Sequence, residues 1–200
     1  MYAITARIAP ILLVVTALSA CTSMSPATRF YHLGQAEIPS PPGGEQREFR
    51  VGLGPIELPE MLRRPQMVSR KGSAEMEIAD FHRWAGDLED MMARELTLQL
   101  RQISGGPRIV PHPWSTQRHI DYQLRISVLR FDGTLGKEFA LQGMWILSDT
   151  RERQELVTRS FDLRRPAGDA SHAAMAKVMG ELLARLGDEI GTALKQIDRP

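Results

Sequence analysis

The sequence predicts a single α+β domain: a mostly antiparallel sheet with two long helices packed on one face. Three observations lead to this fold class. Residues 120–163 contain three consecutive segments in which apolar and polar side chains alternate, as they do in strands with one buried face. Residues 88–103 and residues 170–197 instead repeat their apolar side chains every three or four positions, which is the spacing of a helix with one buried face.

The first 20 residues predict a signal peptide of the lipoprotein type. Arg7 is the only charge ahead of an apolar run, residues 8–18, that is much shorter than the roughly 20 residues of a transmembrane helix. The run ends in Leu18-Ser19-Ala20-Cys21, which matches the bacterial lipobox, where small residues precede a cysteine that becomes acylated. The alternative is an ordinary cleaved signal followed by a small, buried cysteine.

Cys21 is the only cysteine of the chain, so neither an intrachain disulfide nor a thiolate metal cluster is expected. Acylation of Cys21 would anchor the protein permanently, because two lipid signals suffice for stable attachment. Residues 21–28 are mostly small and polar and are interpreted as the lipidated tether. Thr22 occupies the place of the aspartate that marks inner-membrane retention, which favours the periplasmic face of the outer membrane. No cofactor beyond the covalent lipid is expected.

The charge balance of the predicted mature chain excludes one class of partner. Without residues 1–20, the 180 remaining residues suit one domain, assigned to residues 29–197. Arg7 is the only charge in the removed segment, which leaves 24 basic residues against 24 acidic ones. Nucleic acid is therefore not an expected partner, because phosphate binding requires a positive surface.

The amino-terminal part of the domain predicts short strands separated by turns. Strands are expected at residues 30–33 and 49–58, and Gly54-Pro55 in the second indicates a bulge or an edge, since proline cannot donate to a ladder. Residues 66–69 and 74–78 flank a polar turn and are interpreted as a hairpin.

The first long helix is predicted from about residue 88 to residue 103. Asp87 is its expected N-cap, and Asp90 adds a first-turn carboxylate close to the positive end of the helix dipole. Its buried face is expected to consist of Leu88, Met91, Met92, Leu96, Leu100 and Ile103. A short strand at residues 108–110 follows, and then the three alternating segments, 120–128, 138–147 and 155–163, form an antiparallel meander.

The second long helix, residues 170–197, carries a line of small residues beside its apolar stripe. Glycine inside a helix costs about 0.5–1 kcal/mol relative to alanine, so glycines that share one line require a reason. Tight packing against the protein's own sheet is one explanation, and close approach of a neighbouring subunit is the other. The line consists of Ala173, Gly180, Ala184, Gly187 and Gly191.

Groups able to perform catalysis are present, but none has a convincing spacing. The carboxylates at positions 80, 87, 89 and 90 are expected at a helix start, where solvated capping carboxylates are usual. A hydrolase built from His112, His119, Asp121 and Ser115 lacks a glycine-flanked nucleophile turn. The five histidines include no pair at the spacing of a helical zinc site, so no metal and no enzymatic activity are expected.

Three segments carry a resemblance to a known family. "VGLGPIELPEMLRRPQMVSR" (51–70), "ADFHRWAGDLEDMMAREL" (79–96) and "YQLRISVLRFDG" (122–133) resemble, in this order, the PqiC-type lipoproteins, the auxiliary lipoprotein component of ABC-type and MCE-type transport systems in Gram-negative envelopes. The resemblance covers roughly residues 29–195.

The resemblance implies a non-catalytic docking component of a trans-envelope lipid or solute transport system. Its implied partners are an MCE-domain protein and an ABC transporter or permease, and a homo-oligomeric ring is left open. Phe81, Arg83 and Trp84 are the candidates for a partner-binding or structural motif, since aromatic and arginine side chains supply contact energy at interfaces. Full burial of Phe81 and Trp84 would leave Arg83 alone as a contact.

Two alternatives belong to other classes of function. A periplasmic lipid carrier would need an apolar cavity, expected between the sheet and the methionine-rich helix faces. An envelope hydrolase, the more remote alternative, would need an accessible nucleophile and base.

Overall fold

The computed structural model describes residues 26–34, 49–102, 108–114 and 119–197. Cys21, the signal peptide, Ile103 and Ser115 lie outside these ranges. The elements, in chain order, are β1 (Arg29–Tyr31), β2 (Arg50–Glu57), a 3-10 turn (Glu60–Leu62), β3 (Gln66–Lys71), β4 (Glu75–Trp84), α1 (Leu88–Arg101), β5 (Arg108–Pro111), β6 (Tyr122–Gly133), β7 (Glu138–Asp149), β8 (Gln154–Pro166) and α2 (His172–Lys195).

The described strands form two sheets. A five-stranded sheet has the order β5-β2-β6-β7-β8, and a three-stranded sheet has the order β1-β4-β3. The meander β6-β7-β8 and the hairpin β3-β4 are antiparallel, as predicted. β2 runs parallel to both β5 and β6, and β1 runs parallel to β4. The α+β class is confirmed, and within it the sheets are mixed.

Pro55 produces a bulge in an interior strand. β2 lies between β5 and β6, and its register against β6 shifts between Leu53 and Ile56. The missing N–H of proline is accommodated by this irregularity, so β2 remains inside the sheet. Gln123 of β6 donates its side-chain N–H to the carbonyl oxygen of Gly54 at 3.0 Å, which satisfies a backbone acceptor at the bulge.

Both helices lie on one face of the five-stranded sheet and contact each other. α1 packs over β2 and β5, and α2 packs over β7 and β8. The inward side chains of the meander fill the space beneath, with Phe131, Phe139 and Trp145 fully buried. Each large apolar side chain buried in this way contributes about 1.5–3 kcal/mol.

The start of each helix has a side-chain cap. The carboxylate of Asp87 accepts the backbone N–H of Glu89 at 2.9 Å, and it also accepts that of Asp90, as expected from the sequence. Ser171 caps α2 by accepting the backbone N–H of Ala174 at 3.1 Å. These bonds satisfy amide donors that have no partner within the helix.

Candidate functional site

The motif at residues 81–84 lies inside β4. The strand continues to Trp84, six residues beyond the predicted end of the hairpin arm, and only Ala85, Gly86 and the capping Asp87 separate it from α1. Side chains alternate between the two faces of a strand. Phe81 and Arg83 therefore share one face of β4, while His82 and Trp84 share the other.

Trp84 faces the core and has a structural role. Only 4% of its surface is exposed, and its strand neighbour is Tyr31 of β1. Its backbone N–H donates to the carbonyl oxygen of Pro65 at 2.7 Å, which ties the end of β4 to the chain before β3. Of the three motif residues, Trp84 is thus the least accessible to a partner.

The opposite side of the small sheet presents an aromatic face, defined here by Phe30, Phe81 and Arg83. Phe81 is 38% exposed and Phe30 is 65% exposed. The parallel register places Phe30 of β1 beside Arg83 of β4, and Phe81 precedes Arg83 by two residues on β4, so the arginine adjoins both aromatic residues on one surface. The aromatic face combines the residue types that are enriched at protein interfaces.

Arg83 is partly buried on this surface. Its Nε atom is buried and, among the described residues, has no hydrogen-bond acceptor. Gln66 of β3 is its neighbour on the other side of β4.

The inward side of the small sheet carries a cluster of aromatic and imidazole rings. The rings of His82 and His172 stack with centroids 3.8 Å apart and planes inclined by 9°. The hydroxyl of Tyr31 lies 2.7 Å from Nδ1 of His82. Burial lowers the pKa of His172, His82 lowers it further, and Glu77 partly offsets the effect. The cluster joins β1, β4 and the first residue of α2.

A groove of about 680 Å³ lies between α1, α2 and the segment that follows β1. Its walls combine small apolar residues with a few polar groups. Its lining includes Phe30, Tyr31, Glu95, Ala173, Lys177 and Gly180. Burial raises the pKa of Glu95, and its Oε1 atom has no hydrogen-bond partner among the described residues. The buried methionines Met92 and Met179 do not line the groove.

The small-residue line of α2 approaches other parts of the same chain. A Cβ atom at Gly180 would lie 3.2 Å from the backbone nitrogen of Gly34, and a Cβ atom at Gly187 would collide with the side chain of Gln99. Ala184 lines the groove together with Gly180. Intramolecular approach therefore accounts for Gly180 and Gly187, with α1 and the segment after β1 in place of the expected sheet.

The candidate acid and base residues have structural partners. Asp87 caps α1, whereas Asp80 is exposed on β4, so these carboxylates do not share a helix start. His119 lies 3.4 Å from the buried Asp121, and Arg151 donates to Nε2 of His119 at 3.2 Å. Asp121 also accepts the backbone N–H of Arg50 at 2.9 Å, which ties β2 to the start of β6.

The described residues contain neither a metal-binding cluster nor a membrane-spanning helix. Within the four described ranges, no three histidine, aspartate or glutamate side chains converge as metal ligands. In the same part of the chain, neither helix combines the length and the apolarity that crossing a bilayer requires.

The fold and its surface define a class: a single α+β domain whose aromatic face lies on the outer side of the smaller sheet. The chain belongs to the family of ABC-type transport auxiliary lipoprotein components, whose family model matches residues 31–191. The expected resemblance to PqiC-type lipoproteins is thereby confirmed. An auxiliary role in transport suggests a protein without enzymatic activity, whose partners are components of a transporter.

Solved structures agree with the fold. A crystal structure of an uncharacterized protein superposes with a TM-score of 0.68 at 18% identity, covering 84% of this chain and 99% of that one. A Xanthomonas campestris protein of the DUF330 family model has a TM-score of 0.65 at 20% identity, with 84% and 95% covered. The PelC dodecamer of Paraburkholderia phytofirmans, at a TM-score of 0.42, 15% identity and coverages of 74% and 90%, is too remote to transfer its assembly. No curated protein matches the chain significantly.

The sequence did not identify Phe30 as part of the surface. The sequence pattern indicates Phe30 only as the beginning of a short strand. The position of Phe30 beside Arg83 depends on the parallel pairing of β1 with β4. The only local signal was an aromatic residue in a strand too short to bury it.

Proposed function

We propose that this protein is a lipid-anchored docking component of a trans-envelope transport system, positioned at the periplasmic face of the outer membrane. The observation that carries the proposal is the family match over residues 31–191. The ABC transporter or permease would supply the energy at the inner membrane, and an MCE-domain protein would connect it to this lipoprotein.

The anchor would be the acylated thiol of Cys21, joined to the domain by the tether of residues 21–28. A tether of eight residues can span about 26 Å when extended, so the domain would remain close to the membrane surface. Docking near the membrane would therefore not require the domain itself to insert.

The aromatic face is the proposed docking surface. Phe30 and Phe81 offer exposed apolar area next to Arg83, and interfaces concentrate their binding energy in such aromatic and arginine residues. β1 and β4 belong to the three-stranded sheet, whereas both long helices pack on the five-stranded sheet. A partner can therefore cover this surface without disturbing the main core.

Site-specific photo-crosslinking tests the docking surface. The full-length protein, coexpressed with a permease and an MCE-domain protein from the same organism, would carry p-benzoylphenylalanine in place of Phe81. We expect adducts that mass spectrometry identifies as the MCE-domain protein. Leu156, which is 42% exposed on β8 of the other sheet, is the matched control position and should give none. Equal crosslinking at both positions, or none at Phe81 in an intact complex, would contradict the proposal.

Metabolic labelling tests the anchor separately. Radioactive palmitate should label the wild type and not Cys21→Ala, and the wild type should fractionate with the outer membrane. An unlabelled wild type, or a Cys21→Ala form that still reaches the outer membrane and still supports transport, would overturn the anchoring model. Native mass spectrometry of the labelled protein would also report whether copies assemble into a ring.

The groove supports a second candidate function, carriage of a lipid or another amphiphile. Its volume of about 680 Å³ falls within the range of small-molecule sites, and Phe30 and Ala173 offer apolar lining. The groove differs from the expected cavity between the sheet and the methionine-rich helix faces, because neither Met92 nor Met179 lines it. Native mass spectrometry of the Cys21→Ala protein should detect a co-purified lipid if the groove is a carrier site, and a protein without bound lipid would exclude it.

A further inference from the structure

The stacked imidazoles of His82 and His172 connect two parts of the fold that are distant in sequence. His82 lies near the end of β4, and His172 is the first residue of α2. Tyr31 of β1 contacts both, through its hydroxyl 2.7 Å from His82 and through its ring, 6.4 Å from the ring of His172. All three rings are at least partly buried, so the contact excludes much of the solvent between β1, β4 and α2.

Two protonated imidazoles cannot remain in this arrangement at low cost. Their rings would be two cations at 3.8 Å, in surroundings that screen charge less than bulk water. His172 also occupies the first position of α2, where the helix dipole is already positive and disfavours a cation. Glu77 is the acidic group that acts on His172, and Tyr31 is the other titratable group in contact with the pair.

We propose that the stacked pair of His82 and His172 is a proton-operated latch, which holds the start of α2 against β1 and β4 at neutral pH and releases it when both rings are protonated. One proton can be shared by the stack, because a cationic imidazole is attracted to a neutral aromatic face. The second proton makes the contact repulsive. The latch therefore opens when both rings carry a proton.

Release of the latch would change the groove. Tyr31 and Ala173 both line the groove. Tyr31 belongs to the ring cluster, and Ala173 directly follows His172 in α2. Separation of α2 from β1 would move these two walls apart, whatever molecule the groove accepts. Acidification would thus widen the groove at the end formed by the start of α2, while Gln99 and its bonds hold the helices together further along.

The direction of the effect follows from the sign of the pKa change. Because burial lowers the pKa of His172 in the folded protein, the unfolded or opened chain binds protons more readily. The stabilisation is complete above the ordinary pKa of 6.5, and it is lost as the pH falls from there through the lowered folded value.

Hydrogen exchange of the full-length protein in detergent tests the latch. After correction for intrinsic rates, exchange at residues 29–31 and 172–177 should rise between pH 7.5 and pH 5, while the meander stays protected. His172→Phe keeps an aromatic ring in the stack, but this ring cannot be protonated, so the substitution should abolish the increase in exchange. His119→Gln, which removes an exposed histidine near Asp121, is the control and should retain it. An unchanged increase in His172→Phe would overturn the proposal.

Histidine NMR gives a second, independent measurement should His172→Phe fail to fold. With labelled imidazoles, the pKa of His172 should lie below its ordinary value. In His82→Phe the pKa of His172 should rise, because one of the groups that lowers it has been removed. A pKa of His172 at the ordinary value, unchanged in His82→Phe, would overturn the latch as well.

Discussion

Arg70 and Asp132 form a two-point ion pair that joins the two sheets. Nε of Arg70 donates to Oδ1 of Asp132 at 2.7 Å, and Nη2 donates to Oδ2 at 3.0 Å. Arg130 adds a third bond to Oδ1 at 2.8 Å. Asp132 is only 3% exposed, so β3 of the small sheet is attached to β6 of the large one through a buried carboxylate that accepts three hydrogen bonds from two arginines.

Removal of this charge should weaken the attachment of the small sheet. In Asp132→Asn two guanidinium groups lose their counter-charge, and we expect the free energy of unfolding to fall by about 1.5–3 kcal/mol, the range for hydrogen bonds to charged groups. Urea denaturation measures it. Asp162→Asn is the matched control, because Asp162 pairs with Arg164 on an exposed surface and should matter far less. Equal midpoints for the two variants would contradict the proposed role.

The cap of α1 should be a separable contribution to stability. Asp87→Ala removes the acceptor for the N–H groups of Glu89 and Asp90, and the expected loss is about 1 kcal/mol. Asp87→Asn retains a side-chain oxygen at the same place and should recover most of it. Thermal unfolding of the three proteins decides the point. A loss of the same size in both variants would show that the charge matters and the cap does not.

The secondary structure was largely predictable because each element has a local cause. Alternation along β6, β7 and β8 identified the meander, and the helical period together with Asp87 located the start of α1. The parallel pairs were not predictable in the same way. β2 lies between β5 and β6, and parallel neighbours of this kind are joined through long connections. No local sequence pattern in β2 indicates which strands pair with it.

The candidate site was predictable only in part, for a related reason. Residues 81–84 stood out as an aromatic and charged run, but which of them is buried depends on the alternation within β4. That alternation became defined only when β4 proved to extend to Trp84. Phe30 belongs to the aromatic face, His172 to the latch and Glu95 to the groove. Each of these placements depends on contacts between residues far apart in sequence.

Gly187 and Gln99 should show a reversal of sign in a double-mutant cycle. Gln99 donates to the carbonyl oxygen of Ala184 at 2.6 Å and to Asp188 at 2.9 Å, across the helix pair. A methyl group at position 187 would displace this side chain, so Gly187→Ala should lower stability despite the roughly 1 kcal/mol that alanine gains over glycine in a helix.

In the background of Gln99→Ala, the same Gly187→Ala substitution should instead raise the free energy of unfolding by up to about 1 kcal/mol, because nothing remains to displace. Chemical denaturation of the four proteins of the cycle measures both effects. If the small-residue line served a neighbouring subunit, Gly187→Ala would alter the assembly mass in native mass spectrometry and keep its sign in both backgrounds.

Glu95 should give a pH dependence opposite to that of the latch. Burial raises its pKa above the usual 4.5, so the folded protein favours the protonated carboxyl group. Below pH 4.5 the folded and the unfolded chains both carry this proton and there is no penalty. The penalty develops as the pH rises from 4.5 through the raised folded value, and it persists at neutral pH.

Glu95→Gln keeps the shape of the side chain without the charge, and it should therefore stabilise the protein at pH 7. The benefit should shrink toward zero as the pH approaches 4.5. Urea unfolding at a series of pH values, with Glu155→Gln on exposed β8 as the control, would measure the difference between the two curves. A Glu95→Gln protein that is less stable than the wild type at pH 7 would mean that the carboxylate has a favourable partner in solution. His32, whose charge lowers the pKa of Glu95, is the first residue to substitute in that case.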